Sequence, residues 1–465
     1  MSVTSASGRM AATVFDGDGH LIRSEAELAA SAWRAVERAR SGGADQAMAS
    51  VHESGGINVR FAGRELETAS REGSQALRVT VYQGGRSGSA TTEALDGASI
   101  DRAVDQAIAI SSQLEPDADA GLADKAALAW TPETVPLFAP AGQTTADLAA
   151  SAGDVETGAL AAGLKGVRVL QAGAATRDMR WAMATSDDFC LTGAASSQER
   201  WCMALAEGDQ GKVQDWWSTS ERRQDWLKDA AGVGARAAER AFAKLGASDI
   251  ATQRAPVLFD AVVAVSLVSD LARILTGDAQ FRRMTCLPDA VGKTAAADHV
   301  RLSEDPFEPW GLASAASDGE GVAGTRRDVI AGGVVQGLFL DSRMGRKLGM
   351  ASTGNASGFL NLTLSSALTR PEDDLEAMLR KLDRGLWVTE FLGGGVNPVT
   401  GVFSKAATGF WVEQGRVVRP VHNFTVAGQA LEMWKGLAAV GADVHRGGAV
   451  RSGSLLIDSL QIAGR

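Results

Sequence analysis

The side chains best suited to catalysis are few and far apart in this sequence. Its five histidines are His20, His52, His299, His422 and His445, and the closest two, His422 and His445, stand 23 residues apart. A zinc-protease helix needs two imidazoles within little more than one turn, so that both nitrogens reach one ion. No pair here meets that spacing. His52-Glu53 begins in the right way, but Ser54, Gly55, Gly56 and Ile57 follow without a second imidazole. The three cysteines, Cys190, Cys202 and Cys286, are too scattered for a disulfide framework, and their spacing fits no short metal motif. They are expected to be small, buried or half-buried thiols.

Two glycine-rich stretches imitate known sites. Asp16-Gly17-Asp18-Gly19-His20-Leu21, with Glu25, matches several positions of a calcium loop, yet its first coordinating position would be Val14, which cannot bind a cation. A turn feeding a helix accounts for it better. Gly319-Glu320-Gly321-Val322-Ala323-Gly324 spells the dinucleotide pattern, whose chemistry requires a strand before it and a helix start after it. The residues that follow, Thr325-Arg326-Arg327-Asp328-Val329-Ile330, read as a strand, and Glu320 would repel a pyrophosphate. Eleven tryptophans stand against one tyrosine, Tyr82, with Trp181, Trp201, Trp216, Trp217 and Trp226 in the middle of the chain. Packing on strands and contact with a partner account for them equally well.

The framework that must hold these residues is that of a folded globular protein. The chain has 465 residues, 45% hydrophobic and 22% charged, enough for two or three domains. Lys and Arg number 46 against 56 Asp and Glu, a net charge of −10, so no general basic face is available for phosphates and direct nucleic-acid binding is not expected. The start of the chain lacks the apolar core of a secretory signal. The longest apolar run, 261–268, is broken by Ser266 and falls well short of the roughly 20 residues of a membrane span. A cytoplasmic, reducing location is expected.

The expected fold class is α+β. Ser24 and Glu27 form a capping box ahead of a helix carrying Leu28, Ala32, Val36 and Ala39, which Gly42-Gly43 ends. Alternation at Ile57, Val59 and Phe61 and at Leu77, Val79 and Val81 predicts strands, with a third around Gly88-Ser89-Ala90 and a helix from Ser99. These make an N-terminal α+β region over 1–120. A middle α+β region over 121–250 has a helix near 145–164, strands near 167–171, 181–186 and 201–207, and a long amphipathic helix over 224–245. From 251 to 465 a strand-rich domain with Gly-rich loops is expected. It opens with the strand Pro256-Val257-Leu258-Phe259 and a helix to Leu275, and a further helix begins at Pro371, whose fixed φ suits a first turn.

One block in that last third is dense enough to carry a resemblance. Gly393-Gly394-Gly395-Val396-Asn397-Pro398-Val399-Thr400-Gly401, then Phe403-Ser404 and Gly409-Phe410-Trp411-Val412-Glu413, resembles the TldD/PmbA family of peptidase-associated proteins. Arg346-Lys347-Leu348-Gly349-Met350, Thr425-Val426-Ala427-Gly428 and Gly453-Ser454-Leu455-Leu456 agree with it. The resemblance runs from about residue 24 to the end. One departure is Val402, where family members often carry an acidic residue.

The resemblance implies a choice between two branches. The TldD branch carries an HExxxH helix and a C-terminal cysteine that together hold a metal. The TldE branch, also called PmbA, lacks them and is thought to partner TldD in a heterodimeric metallopeptidase. Aligned on Gly277-Asp278, the two histidine positions hold Val268 and Arg273, the glutamate position holds Ser269, and the C-terminal ligand region, Arg451-Ser452-Gly453-Ser454, has no cysteine. Val cannot ligate a metal, and Arg273 is expected to put a fixed positive charge where a divalent cation would sit.

The resemblance therefore implies a metal-free, TldE-like subunit with no catalytic residues and no cofactor of its own. A divalent metal, zinc, is expected in a TldD-like partner, and an unfolded peptide is the expected substrate. Gly393, Gly394, Gly395, Asn397, Thr400 and Gly401 are the candidate loop for peptide or partner contact, because glycines let main chain approach closely. A tight turn between two strands explains the same residues equally well. Two other readings stay open: a regulatory or peptide-binding homodimer of the gyrase-modulator kind, and an independent hydrolase without a metal.

Overall fold

The computed structural model describes residue 21 and residues 23–209 and 211–465. The calcium-like motif at Asp16, Gly17, Asp18, Gly19 and His20 lies outside the described residues. The capping box forms: Glu27 N–H donates to the Ser24 hydroxyl while the Glu27 carboxylate accepts from Ser24 N–H, starting α1 (Glu25–Ser41). A meander of β1 (Gln46–Ala62), β2 (Glu65–Gln83) and β3 (Arg86–Thr92) follows, then α2 (Gly97–Gln113). After a long connection come α3 (Thr145–Ala161), β4 (Val167–Thr185), β5 (Cys190–Gly208), β6 (Gly211–Glu221) and α4 (Ala230–Ala243).

These six strands form one antiparallel sheet in the order β3-β2-β1-β4-β5-β6. Because β1 pairs with β4 from Met48 opposite Thr185 to Phe61 opposite Ala172, residues on both sides of position 120 share this sheet. Alternation puts Ala49, Val51 and Val59 on one face. The first two meet α1 and α2 through Leu28, Val36, Ile100 and Val104, and Val59 meets α3 through Leu148. Further along, Cys202 and Ala204 pack on α3 and α4 through Val155 and Val233. Gly158 and Gly234 let α3 and α4 touch backbone to backbone; a Cβ on Gly234 would lie 1.8 Å from the Val155 carbonyl oxygen. Two tryptophans are explained here. Trp181 lies over Gly193 and Trp201 over Gly173, each directly across the β4–β5 ladder, so ring area fills the space left by the missing side chain.

Three expected boundaries shift. The separate strands at 167–171 and 181–186 are one 19-residue strand, because β4 is paired along both edges and its small central residues need no alternation to stay in the ladder. The helix expected over 224–245 is α4 alone. Asp229 accepts from Gly232 N–H and restarts the chain there, while Gln224–Trp226 is a separate short turn. The helix expected from Pro371 begins at Leu375, α8 (Leu375–Leu382), since Asp374 takes the cap position and Pro371 stays in the preceding turn.

The last third is strand-rich. β7 (Gln253–Phe259) leads into α5 (Ala261–Arg273), then the short helix α6 (Gly277–Phe281). β8 (Val300–Glu304), β9 (Arg327–Ala331), β10 (Val334–Val335) and, after α7 (Ser342–Leu348), β11 (Leu362–Ser366) join a small sheet completed by β16 (Val450–Arg451). β12 (Gly385–Val396), β13 (Val402–Glu413), β14 (Arg416–Gln429) and β17 (Leu455–Ala463) combine with β7, and pairing of β14 with β17 closes them into a barrel. α9 (Ala430–Lys435) and β15 (Leu437–Val440) flank it. The glycine run at 319–324 is a loop gathered on buried Asp318, whose carboxylate accepts from the N–H groups of Glu320, Val322 and Ala356. The next element is the strand β9, not a helix. Among the described residues no helix is long and apolar enough to cross a membrane.

Candidate functional site

The glycine block proves to be the end of a hairpin. Gly393, Gly394 and Gly395 are residues of β12 opposite Ala406, Lys405 and Ser404 of β13. Gly394 has φ +87°, and a Cβ there would sit 2.3 Å from the Ser404 carbonyl oxygen, so a side chain is excluded. Gly401 N–H donates to the Asn397 carbonyl at 2.8 Å, and the Asn397 side-chain oxygen accepts from the N–H groups of Val399 and Thr400. The turn is thus the local geometry. Its tip, with Val399, Val402 and the preceding Leu392, is exposed, which is what contact with another chain requires.

α5 is the helix that the resemblance aligns with the family's metal helix, and its residues do not fit an ion. Val268 is fully buried in the barrel core. The Ser269 hydroxyl donates to the Val265 carbonyl of its own helix. The Arg273 side chain is 72% exposed, so its charge is spent in solvent rather than inside the site. The buried cation here is Lys405, whose ammonium lies 3.0 Å from Asp270 of α5 and 4.8 Å from the centre of the Phe391 ring. The methyl groups, engaged hydroxyl and ammonium supply no donor set for a divalent ion. Among the described residues no three of His, Cys, Asp and Glu converge as metal ligands. Register links the two features, since Lys405 stands opposite Gly394 and so ties the glycine hairpin to α5.

The opposite end of α5 opens on a cavity of about 1000 Å³ between β6, α4 and the loop at 443–447. Asp260 caps α5 there, accepting from Val262 N–H at 3.0 Å, and is 7% exposed. Burial pushes its carboxyl above the ordinary carboxylate range. His445 lies nearby with its ring edge against Trp217, and burial lowers its basicity. Trp217 itself is covered by the guanidinium groups of Arg236 and Arg240, whereas Trp216 is 47% exposed. Arg240 and Lys244 hold buried Asp215, and Lys244 also reaches Glu390 of β12, joining sheet to barrel.

The histidines remain apart. His299 is a structural residue bonded to Ser366 and the Leu437 carbonyl, and His422 lies on the surface near Asp249. Burial, with the nearby Glu156 charge adding to it, pushes the Cys202 thiol up to about 12, and burial raises Cys190 and Cys286 as well. None of the three is an activated nucleophile. Sequence reading missed Lys405, Asp270 and Asp260. Only Asp260 left a signal, its place just ahead of an apolar helical run.

This geometry sits on a fold shared with known proteins. Residues 252–464 match the PmbA/TldA metallopeptidase C-terminal domain, and residues 47–111 match PmbA/TldA metallopeptidase domain 1. The Metalloprotease PmbA of Escherichia coli O157:H7 is 33% identical over 426 residues, 91% of this chain and 94% of that protein. The chain belongs to the TldD/PmbA family. Two solved structures show the same fold. One, from Bacteroides thetaiotaomicron and described as a candidate modulator of DNA gyrase, superposes with TM-score 0.86 at 23% identity, covering 94% of this chain and 98% of that one. The other, TldE from Thermococcus kodakarensis, gives TM-score 0.81 at 19% identity, covering 92% and 99%. A role within a peptidase family follows.

Proposed function

We propose that this chain is the TldE-like, metal-free subunit of a two-chain peptidase. A TldD-like partner supplies a divalent metal, zinc, together with the attacking water and the general base. This chain completes the chamber, holds an unfolded peptide and stabilises the partner. The observation that carries the reading is α5: the fold shared with known structures covers 94% of the chain, while Val268, Ser269 and Arg273 offer no donor to an ion. The exposed hairpin with Gly393, Gly394, Gly395, Asn397, Thr400 and Gly401 is assigned to contact with the partner or the peptide. The regions 1–120, 121–250 and 251–465 are its working divisions, and a cytoplasmic location belongs to the same reading.

The test compares this chain purified alone with the chain co-expressed with a TldD-like protein from the same source. Metal content and cleavage of an unfolded peptide are measured on both, with and without chelator. Metal and chelator-sensitive cleavage are expected only in the co-purified pair. Stoichiometric zinc and cleavage in the lone chain would overturn the assignment. A homodimer indifferent to the added partner would favour the regulatory reading instead.

A further inference from the structure

The cavity at the N-terminal end of α5 has more carboxylates than basic groups in its lining. Asp260, Asp443, Glu221, Asp229 and Glu199 all line it, and among the described residues none of the five makes an ion pair. Three basic residues also line it. Arg446 is paired with Glu308, and Arg236 with Glu239 while lying over Trp217. Lys228 is left as the one unpaired cation of the lining among the described residues. Five carboxylates thus face one free ammonium.

The most buried of them is the one with an oxygen to spare. One carboxylate oxygen of Asp260 accepts from the Val262 N–H, while among the described residues no donor reaches the other, although the residue is only 7% exposed and lines the cavity. A buried charge without a partner is costly, so a ligand able to supply one gains more there than at the surface. A divalent metal is the wrong ligand, because the carboxylates are spread along the walls and no three converge as metal ligands among the described residues. Dispersed negative charge beside an exposed aromatic ring, Trp216, suits an organic cation on an extended chain. β6 adds a matching backbone. It is an edge strand of the six-stranded sheet, and its residues 216–221 line the cavity.

We propose that this cavity binds a protonated amine carried on an extended peptide, seated against Asp260 with the chain running past Trp216. The amine is either a lysine side chain or the free N-terminus. The inference rests on the peptide-holding role given above and assigns it a place. The charged groups facing Asp260 are Arg236 and Arg240 from α4, Asp443 and His445 from the 443–447 loop, and the Val262 N–H from its own helix.

The experiment is calorimetric titration of the full chain with a short unstructured peptide of Gly, Ser and Ala carrying one lysine. Four forms are used: unmodified, N-terminally acetylated, acetylated on lysine, and acetylated on both. The doubly acetylated peptide is expected to bind at least about tenfold more weakly, as the loss of one charged hydrogen bond implies, and the singly acetylated forms tell which amine docks. Asp260→Asn keeps the cap oxygen and is expected to lose the same factor, whereas Lys228→Gln, which removes the competing cation, binds more tightly. Equal affinity for all four peptides, no binding of the unmodified one, or unchanged affinity in a folded Asp260→Asn would overturn the proposal. Should Asp260→Asn misfold, the acetylation series on the unaltered chain decides alone. Metal content and cleavage by the co-purified pair are read separately. A pair that cleaves normally while binding ignores the amine sinks this inference and leaves the subunit assignment standing. Amine-dependent binding by a chain that never acquires an active partner does the reverse.

Discussion

The two ends of α5 treat charge in opposite ways. Toward its C-terminus, Asp270 is answered inside the protein by Lys405, with Phe391 against the ammonium, and Val268 closes the neighbouring face with hydrocarbon. At its N-terminus, Asp260 looks into a cavity where, among the described residues, no counter-charge reaches it within ion-pair distance. The first arrangement is closed by an ion pair inside the protein. The second is held open by structure elsewhere and is complete only with something added. α5 therefore keeps its place in the barrel without offering a metal donor, while the unpaired carboxylate lies at its other end.

The sharpest way to break this contrast is to remove Lys405. Lys405→Met leaves Asp270 buried without its cation, and urea unfolding should show a loss of about 3 kcal/mol, the usual consequence of breaking one side of a buried pair. Lys405→Met with Asp270→Asn should recover much of that loss. If the single variant were as stable as the parent, the closed character of this end would be wrong.

Asp260 should respond with the opposite sign. Burial holds its carboxyl above the ordinary value near 3.8, so the folded chain keeps this proton to higher pH than the unfolded chain does. The protonated group's contribution is fully present below that value and is lost as pH rises through the folded one. Asparagine does not titrate. Asp260→Asn is therefore expected to melt higher than the parent at neutral pH, with the difference closing toward pH 4 in thermal scans.

A third test uses a network remote from both ends. Asp117 accepts from Lys347 at 2.9 Å and from the Arg343 Nε at 2.7 Å, tying the long connection to α7, and these cations hold its carboxyl well below the usual carboxylate range. Its contribution is present above the unfolded value near 3.8 and disappears as pH falls below it. Asp117→Asn should cost about 1 kcal/mol at pH 7 and nothing measurable in acid. The smallest effect is expected at Trp216. Trp216→Ala should change stability by less than about 0.5 kcal/mol, since the ring packs into no core. A large loss there would show that the ring is structural and not free for a ligand.

Much of the framework was legible before any coordinates. The capping box at Ser24 and Glu27, the alternation in β1 and β2 and the strand-then-helix at 253–273 are local signals, and each sits where the residues indicated. Where local signal was weak the reading slipped. The glycines and alanines in the centre of β4 carry no alternation, and only pairing with β1 and β5 makes that stretch a strand. The apparent helix at 224–245 merged two segments that Asp229 separates.

Sequence by itself determined the family, the absence of metal donors at Val268, Ser269 and Arg273, and the hairpin glycines, because these depend on residue type and short spacing. Tertiary structure alone decided where charge is satisfied. Lys405 meets Asp270 across 135 positions of chain because Gly394 of β12 and Lys405 of β13 share a register and the barrel presses that hairpin against α5. Asp260 and His445 face one cavity only because the 443–447 loop lies beside the start of α5 and β6. Such pairings join residues that no local pattern connects, since their energy arises from burial and distance, and both come into being only when the chain has closed on itself.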